Sequence, residues 1–224
     1  MIDTSLTSQP KRVIWPDNPG IQREIIQESV EILRAGGLIV IPTDTVYGIA
    51  ADPLNEEAIE RIFLVKQRPA EKRIALLIAD PSDLDQLSSP VPAGALSLAQ
   101  AAWPGALTIV LSSARSELGP TVALRVPNHI LPRLICQELG SPLATTSANI
   151  SSAPSPTTPM EVTSQLPKGY GLLIDDGKTA GGVDSTVIDF TLTPPRLLRR
   201  GGLERSIIAT ALGEDATARL LQSG

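Results

Sequence analysis

Residues 36–48, Gly-Gly-Leu-Ile-Val-Ile-Pro-Thr-Asp-Thr-Val-Tyr-Gly, run from a glycine stop through four consecutive apolar residues into a polar turn. An uninterrupted apolar run at 38–41 is the pattern of a strand covered on both sheet faces, since neither face meets water. Pro42 ends it by removing a ladder donor. Just upstream, Asn18-Pro19 is a helix start with proline in the first turn, and Ile21, Ile25, Ile26, Val30, Ile32 and Leu33 follow at helical spacing until Gly36. A helix feeding a buried strand is the unit from which α/β folds are built.

The same reading extends along the chain. Asn55 caps a second helix with Glu56 and Glu57 in its first turn and Ala58, Ile59, Ile62 and Phe63 on one face, ending near Lys66. Segments 92–102 and 130–139 read as helices; 74–79, 107–111, 121–126, 142–145, 172–174, 186–189 and 196–199 read as strands. The expected architecture is a single α/β domain with a twisted mixed β-sheet flanked by helices. It occupies 18–213, with a loosely held N-terminal arm at 1–17 and a C-terminal tail at 214–224. Residues 151–159 have the Ser/Pro/Thr composition of a linker, but the strands after them are too closely spaced to form a core of their own, so the chain is not divided there.

Composition narrows the function classes. The 224 residues are 42% hydrophobic, enough for a continuous core, and carry a formal net charge of −5. That charge opposes whole-surface binding of nucleic acid or anionic membrane. Two each of Trp, Tyr and Phe leave little for base stacking. The single cysteine, Cys136, excludes an intrachain disulfide and a cysteine zinc cage and suits a reducing compartment. Between apolar neighbours it reads as an inert buried thiol in preference to a nucleophile. With no apolar run near the roughly 18 to 20 residues that span a bilayer and no signal-peptide pattern, a cytoplasmic location without membrane attachment is expected.

Three segments have the residues for chemistry. The turn at 42–48 sets two hydroxyls and a carboxylate after a buried strand, where open α/β sheets place ligands; a polar turn satisfying its own backbone is the alternative. Lys66, Arg68, Lys72 and Arg73 crowd a helix exit and read either as a phosphate site or as a solvated basic turn. Thr145-Thr146-Ser147-Ala148-Asn149 follows an apolar strand and reads either as an orienting loop for phosphate or ribose or as a capping turn. Trp103-Pro104-Gly105 is expected to be a packing corner and His129 a helix-start residue. No nucleophile with a partner base, metal-ligand spacing or Walker-type glycine loop is present, so chemistry here must rest on positioning and charge.

Taken in order, 42–48, 66–69, 103–108, Arg125-Val126-Pro127, Ser147-Ala148-Asn149, Ser185-Thr186-Val187 and Leu198-Arg199 resemble the YrdC-like family of threonylcarbamoyl-adenylate synthases over about residues 20 to 205. The resemblance implies a concave basic face. It also implies a reaction in which L-threonine, bicarbonate and ATP give threonylcarbamoyl-adenylate and pyrophosphate, with Mg2+ accompanying ATP. A tRNA threonylcarbamoyltransferase complex would then use the product, with tRNA contact as a further expectation. Carried over by position, Lys66 and Arg68 become catalytic. Arg68, Lys72, Thr121, Ser147, Asn149, Ser155 and Arg199 become ATP contacts, and Thr45, Arg125, Thr145 and Ser185 become threonine contacts. Arg125 would pair the threonine carboxylate, and no metal ligand is assigned to a protein side chain. Ser155 turns the apparent linker into an expected active-site loop. Two departures stand out: Ser152 where the family usually has Gly, and Arg73 where Pro usually follows the second Lys. The chain resembles the family's short form without an appended C-terminal domain. A non-catalytic RNA-binding module of the same fold is the competing reading.

Overall fold

In the computed structural model, which describes residues 9–67, 69 and 74–222, the chain builds one ten-stranded mixed sheet with helices on its faces. In chain order the elements are β1 (Lys11–Ile14), α1 (Pro19–Arg34), β2 (Ile39–Ile41), β3 (Gly48–Ala51), α2 (Glu56–Lys66), β4 (Ala75–Leu77), a short α3 (Leu84–Leu87), α4 (Ala93–Ala102), β5 (Leu107–Ser112), β6 (Thr121–Arg125), α5 (Ile130–Leu139), β7 (Leu143–Ser147), α6 (Pro159–Gln165), β8 (Leu172–Asp175), β9 (Thr186–Asp189), β10 (Arg196–Arg199), α7 (Arg205–Leu212) and α8 (Glu214–Gln222). The strands lie in the order β1-β8-β2-β3-β7-β4-β6-β5-β9-β10.

Local signals account for the element ends. Asn18 Oδ1 accepts from the backbone N–H of Gly20 at 3.0 Å and of Ile21 at 3.2 Å, closing the first turn of α1 behind Pro19. Asn55 caps α2 through the Ala58 N–H at 3.0 Å. His129 Nδ1 caps α5 through Leu131 N–H, the helix-start place expected of it. Trp103 is buried and donates from Nε1 to the Leu107 carbonyl at 2.8 Å, so it is the packing corner expected.

The period-2 alternation of strands decides where the core sits. In β2 and β8, Ile39, Ile41, Leu172 and Ile174 face α1 and α5, while Val40 and Leu173 join Ala58 and Ile62 of α2 and Val162 of α6. Both faces are covered there, as the unbroken apolar run at 38–41 implied. Farther along the sheet, Leu107, Ile109 and Leu111 of β5, Val122 and Leu124 of β6, Ile188 and Leu197 pack under α4, α7 and α8. Among the described residues, no helix packs on the intervening residues of those strands. They form the floor of a cavity on the face that α1 and α5 cover elsewhere, and Leu77 belongs to both regions.

Two expected boundaries are corrected. Lys11–Ile14 is not a loose arm: it pairs in parallel with β8, with Lys11 bridged to Glu28 at 2.7 Å and Arg12 to Asp175 at 2.6 Å. The expected tail contains α8, whose Leu220 is 2% exposed within the β5–β6 core and whose Leu221 carbonyl accepts from Arg200 at 2.6 Å. Strand β3 also lay outside the sequence reading, because Gly-Ile-Ala-Ala has weak strand propensity and is held by antiparallel pairing on both sides. Among the described residues no helix is long and apolar enough to cross a membrane.

Candidate active site

The cavity has a volume of about 470 Å³. Its floor comes from alternate strand residues, Thr108 and Val110 of β5, Thr121, Ala123 and Arg125 of β6, and Val187 and Asp189 of β9. Thr145, Thr146 and Ser147 of β7 and the turn after β2 close one side; Asp184, Ser185, Leu198 and Arg199 close the other. Gly48 lies against β7 so closely that a Cβ there would come within 2.6 Å of Thr145 Cγ2, so the β3–β7 contact needs glycine.

The turn after β2 is both a self-satisfied turn and a cavity-facing one. Thr43 Oγ1 accepts from the N–H groups of Thr45 and Val46 at 3.1 and 3.2 Å and donates to the Val46 carbonyl at 2.7 Å. Its proton is thereby used, so the 3.0 Å contact between the Thr43 and Thr45 hydroxyls has Thr45 as donor. Thr45 Oγ1 in turn accepts from Arg125 Nη1 at 2.8 Å. Arg125 also donates from Nη2 to Asp44 Oδ1 at 2.7 Å and from Nε to the Gly105 carbonyl at 3.0 Å. Burial pulls the guanidinium below its ordinary pKa, and the adjacent Asp44 carboxylate opposes that shift.

On the opposite wall, the Thr108 and Ser185 hydroxyls are 2.8 Å apart. Arg199 donates from Nε to the Ser185 carbonyl at 2.9 Å and from Nη2 to Ser185 Oγ at 3.0 Å, and its Nη1 lies 3.6 Å from Asp184. The lining therefore carries two arginines, Arg125 and Arg199, and two aspartates, Asp184 and Asp189. Thr121 contributes a buried hydroxyl with no hydrogen-bond partner among the described residues.

The structure brings Thr45, Thr121, Arg125, Thr145, Ser147, Ser185 and Arg199 together around this one cavity. Thr145 turns its hydroxyl proton to the Leu143 carbonyl at 3.1 Å, leaving its oxygen as acceptor. Three other expected ligands do not line it. Lys66 is 1% exposed, and its ammonium bonds the Ser147 carbonyl, the Asn149 carbonyl at 2.6 Å and Asn149 Oδ1 at 3.1 Å. The expected catalytic lysine is thus a clamp beneath the 147–149 loop, because the last turn of α2 delivers its side chain under the loop rather than over the sheet. Asn149 continues the clamp, accepting from Ser147 Oγ at 2.5 Å and donating to the Ala153 carbonyl at 2.6 Å. Ser155 donates to the Asp184 carboxylate at 3.1 and 3.2 Å and reaches the cavity through that residue. The expected cations Arg68 and Lys72, like Arg73, lie outside the described residues.

The segment with linker composition is tied in place. Tyr47 N–H donates to the Pro156 carbonyl at 2.8 Å, Ser151 N–H to the Lys66 carbonyl at 2.8 Å and Thr179 N–H to the Thr157 carbonyl at 2.9 Å. Within it Ser152 adopts φ 70°, the left-handed region where the expected glycine would sit without strain. Sequence reading passed over Asp44 and Asp184 as ligand-positioning groups and, while including Thr108 in the 103–108 motif, gave it no site role. The parity of Thr108 with Val110, opposite to Leu107 and Ile109, was the available signal. Cys136 is the inert thiol expected: it is 4% exposed, and burial pushes its pKa up to about 12.

Comparison with known proteins bears on this geometry. The family model Sua5/YciO/YrdC, described as telomere recombination, matches residues 31–201. The chain is 40% identical over 205 residues to a threonylcarbamoyl-AMP synthase of Pyrococcus abyssi, covering 86% of this chain and 60% of that protein. It is 37% identical over 195 residues to the threonylcarbamoyl-AMP synthase of Bacillus subtilis, covering 84% and 56%. The chain thus spans somewhat more than half the length of these curated relatives. Among solved structures, P. abyssi Sua5 complexed with L-threonine matches with a TM-score of 0.83 at 37% identity, over 92% of this chain and 62% of that one.

Proposed function

The chain belongs to the Sua5/YciO/YrdC family, and from that premise we propose that it makes L-threonylcarbamoyl-adenylate from L-threonine, bicarbonate and ATP, releasing pyrophosphate. The observation that carries the proposal is the convergence of Thr45, Arg125, Ser185, Ser147, Thr121 and Arg199, scattered along the sequence, on one cavity floored by a sheet.

In this reading Arg125 meets the threonine carboxylate, while the hydroxyls of Thr45 and Ser185 recognise its polar groups. The deprotonated amine takes up carbon dioxide with release of a proton, or bicarbonate with release of water, to form a carbamate, and a carbamate oxygen attacks the α-phosphorus in line with the departing pyrophosphate. Magnesium would accompany ATP as its phosphate complex and supply positive charge to the leaving group, with no protein side chain assigned to hold it. Arg199, Arg68 and Lys72 supply further positive charge around the phosphates. Lys66 contributes indirectly by fixing the Ser147 loop. The adenylyl group passes directly from pyrophosphate to the carbamate oxygen, so no covalent enzyme intermediate is needed. The adenylate is then passed to a tRNA threonylcarbamoyltransferase complex.

The test is pyrophosphate release assayed with ATP and magnesium while threonine and bicarbonate are omitted in turn. Release is expected only when both are present, with threonylcarbamoyl-adenylate identified by mass spectrometry. ATP turnover indifferent to threonine would refute the proposal. Salt-dependent RNA binding without any adenylate would instead favour the RNA-binding reading.

A further inference from the structure

Among the charged groups of the cavity, Arg125 is the most tightly held, yet the carboxylate that holds it is not among the lining residues. A guanidinium has five N–H donors. Three are engaged, by acceptors from two separate segments: Asp44 and Thr45 in the turn after β2, and the Gly105 carbonyl before β5. Two remain, one on each terminal nitrogen, and have no partner among the described residues.

Asp44 is itself fixed. Its Oδ1 accepts from the Asn128 N–H at 3.0 Å as well as from Arg125, and its backbone carbonyl accepts from the Gly181 N–H at 2.9 Å. The side chains of Asp44 and Arg125 are 14% and 7% exposed, so little water competes for the pair. Charge-assisted bonds in such surroundings are short and directional. A long side chain that would otherwise sample many rotamers is reduced to one orientation, with two donors left over for the two oxygens of a carboxylate.

We propose that Asp44 is a positioning residue of the amino-acid subsite: it fixes the Arg125 fork so that the remaining N–H groups receive the carboxylate of threonine. The inference rests on the functional reading above and adds to it a residue that never touches substrate. Asp44 also balances the Arg125 charge, so this end of the cavity selects an anion by the direction of its oxygens more than by net attraction. The ATP end draws on Thr121, Ser147 and Arg199, whose side chains make no hydrogen bond to Asp44 or Arg125 among the described residues.

Isothermal titration calorimetry on the full chain, with threonine and separately with magnesium-ATP, tests the proposal. Asp44→Asn keeps the shape and the acceptor for Asn128 but removes the charge. It is expected to weaken threonine binding, and to raise KM for threonine, by about tenfold or more, while ATP affinity stays within about twofold. An equal loss for both ligands would mean general damage and overturn the proposal, as would unchanged threonine affinity. If circular dichroism shows Asp44→Asn unfolded, Asp44→Glu, which keeps the charge but displaces the fork by one methylene, takes its place. It is expected to lose about threefold or more for threonine alone, and no selective loss would again overturn the idea. Wild-type protein that binds no threonine would instead refute the functional reading itself.

Discussion

The two halves of the sheet solve different problems with one backbone pattern. At the β8–β2–β3 end both faces are under helices, and successive residues of β2 and β8 alternate between two apolar cores. At the β6–β5–β9–β10 end one face packs on α4, α7 and α8, while the other carries threonines, Arg125, Asp189 and Arg199 around the cavity. Site chemistry gathers where a sheet face is left without a helix: only there can polar side chains project into a cavity and meet a ligand without first losing a packed core.

That contrast is breakable by truncation. Leu173→Ala, in the doubly covered half, should cost about 2 to 5 kcal/mol of unfolding free energy in urea titrations. Leu198→Ala, half exposed at the cavity wall, should stay within about 0.5 kcal/mol and show itself in ligand affinity instead. Equal costs would mean the two faces are not energetically distinct. Lys66, joining the covered half to the β7 loop, comes next. Lys66→Met strands the Ser147 and Asn149 carbonyls without their buried donor and should lower stability by about 2 to 3 kcal/mol, with proteolysis appearing first in the 147–158 loop.

A pH titration examines the covered half alone. The chain has two tyrosines, Tyr47 and Tyr170, both within the core under α2 and α6. Burial pushes each phenol up to about 12 from an ordinary value of 10. Unfolded tyrosine loses its proton at the lower pH, so the stabilisation held by the neutral phenols is complete below pH 10 and falls as pH rises from about 10 to 12. Near-ultraviolet phenolate absorbance of the native protein should therefore stay flat around pH 10, and an inflection there would show that water reaches this core. A small gain is expected in the loop after β7: Ser152→Gly should raise stability by about 1 kcal/mol by relieving a left-handed backbone. A loss would mean that the serine side chain contributes something the geometry does not reveal.

Fold class, the α1–β2 unit, the capped starts of α1, α2 and α5 and the aliphatic strands were legible in the chain because caps and periodicity act over a few residues. The Asn18 side chain reaches Gly20 and Ile21, and the Asn55 side chain Ala58, each within three residues. Strands β1 and β3 and helices α6 to α8 were not, since short elements of weak propensity exist through pairing with distant segments. Within the candidate site, most of the expected ligands among the described residues line the cavity. The division of labour among them waited on tertiary structure. Arg125 and Asp44 are 81 residues apart, as are Lys66 and the Ser147 carbonyl. Whether a lysine faces a ligand or clamps a loop depends on which strand lies over its helix end, and no local pattern carries that. The sequence by itself determined the apolar strands β2 and β8 of the covered half and the identity of the polar residues; the pairing of remote strands decided which of those residues line the cavity and which hold the others in place.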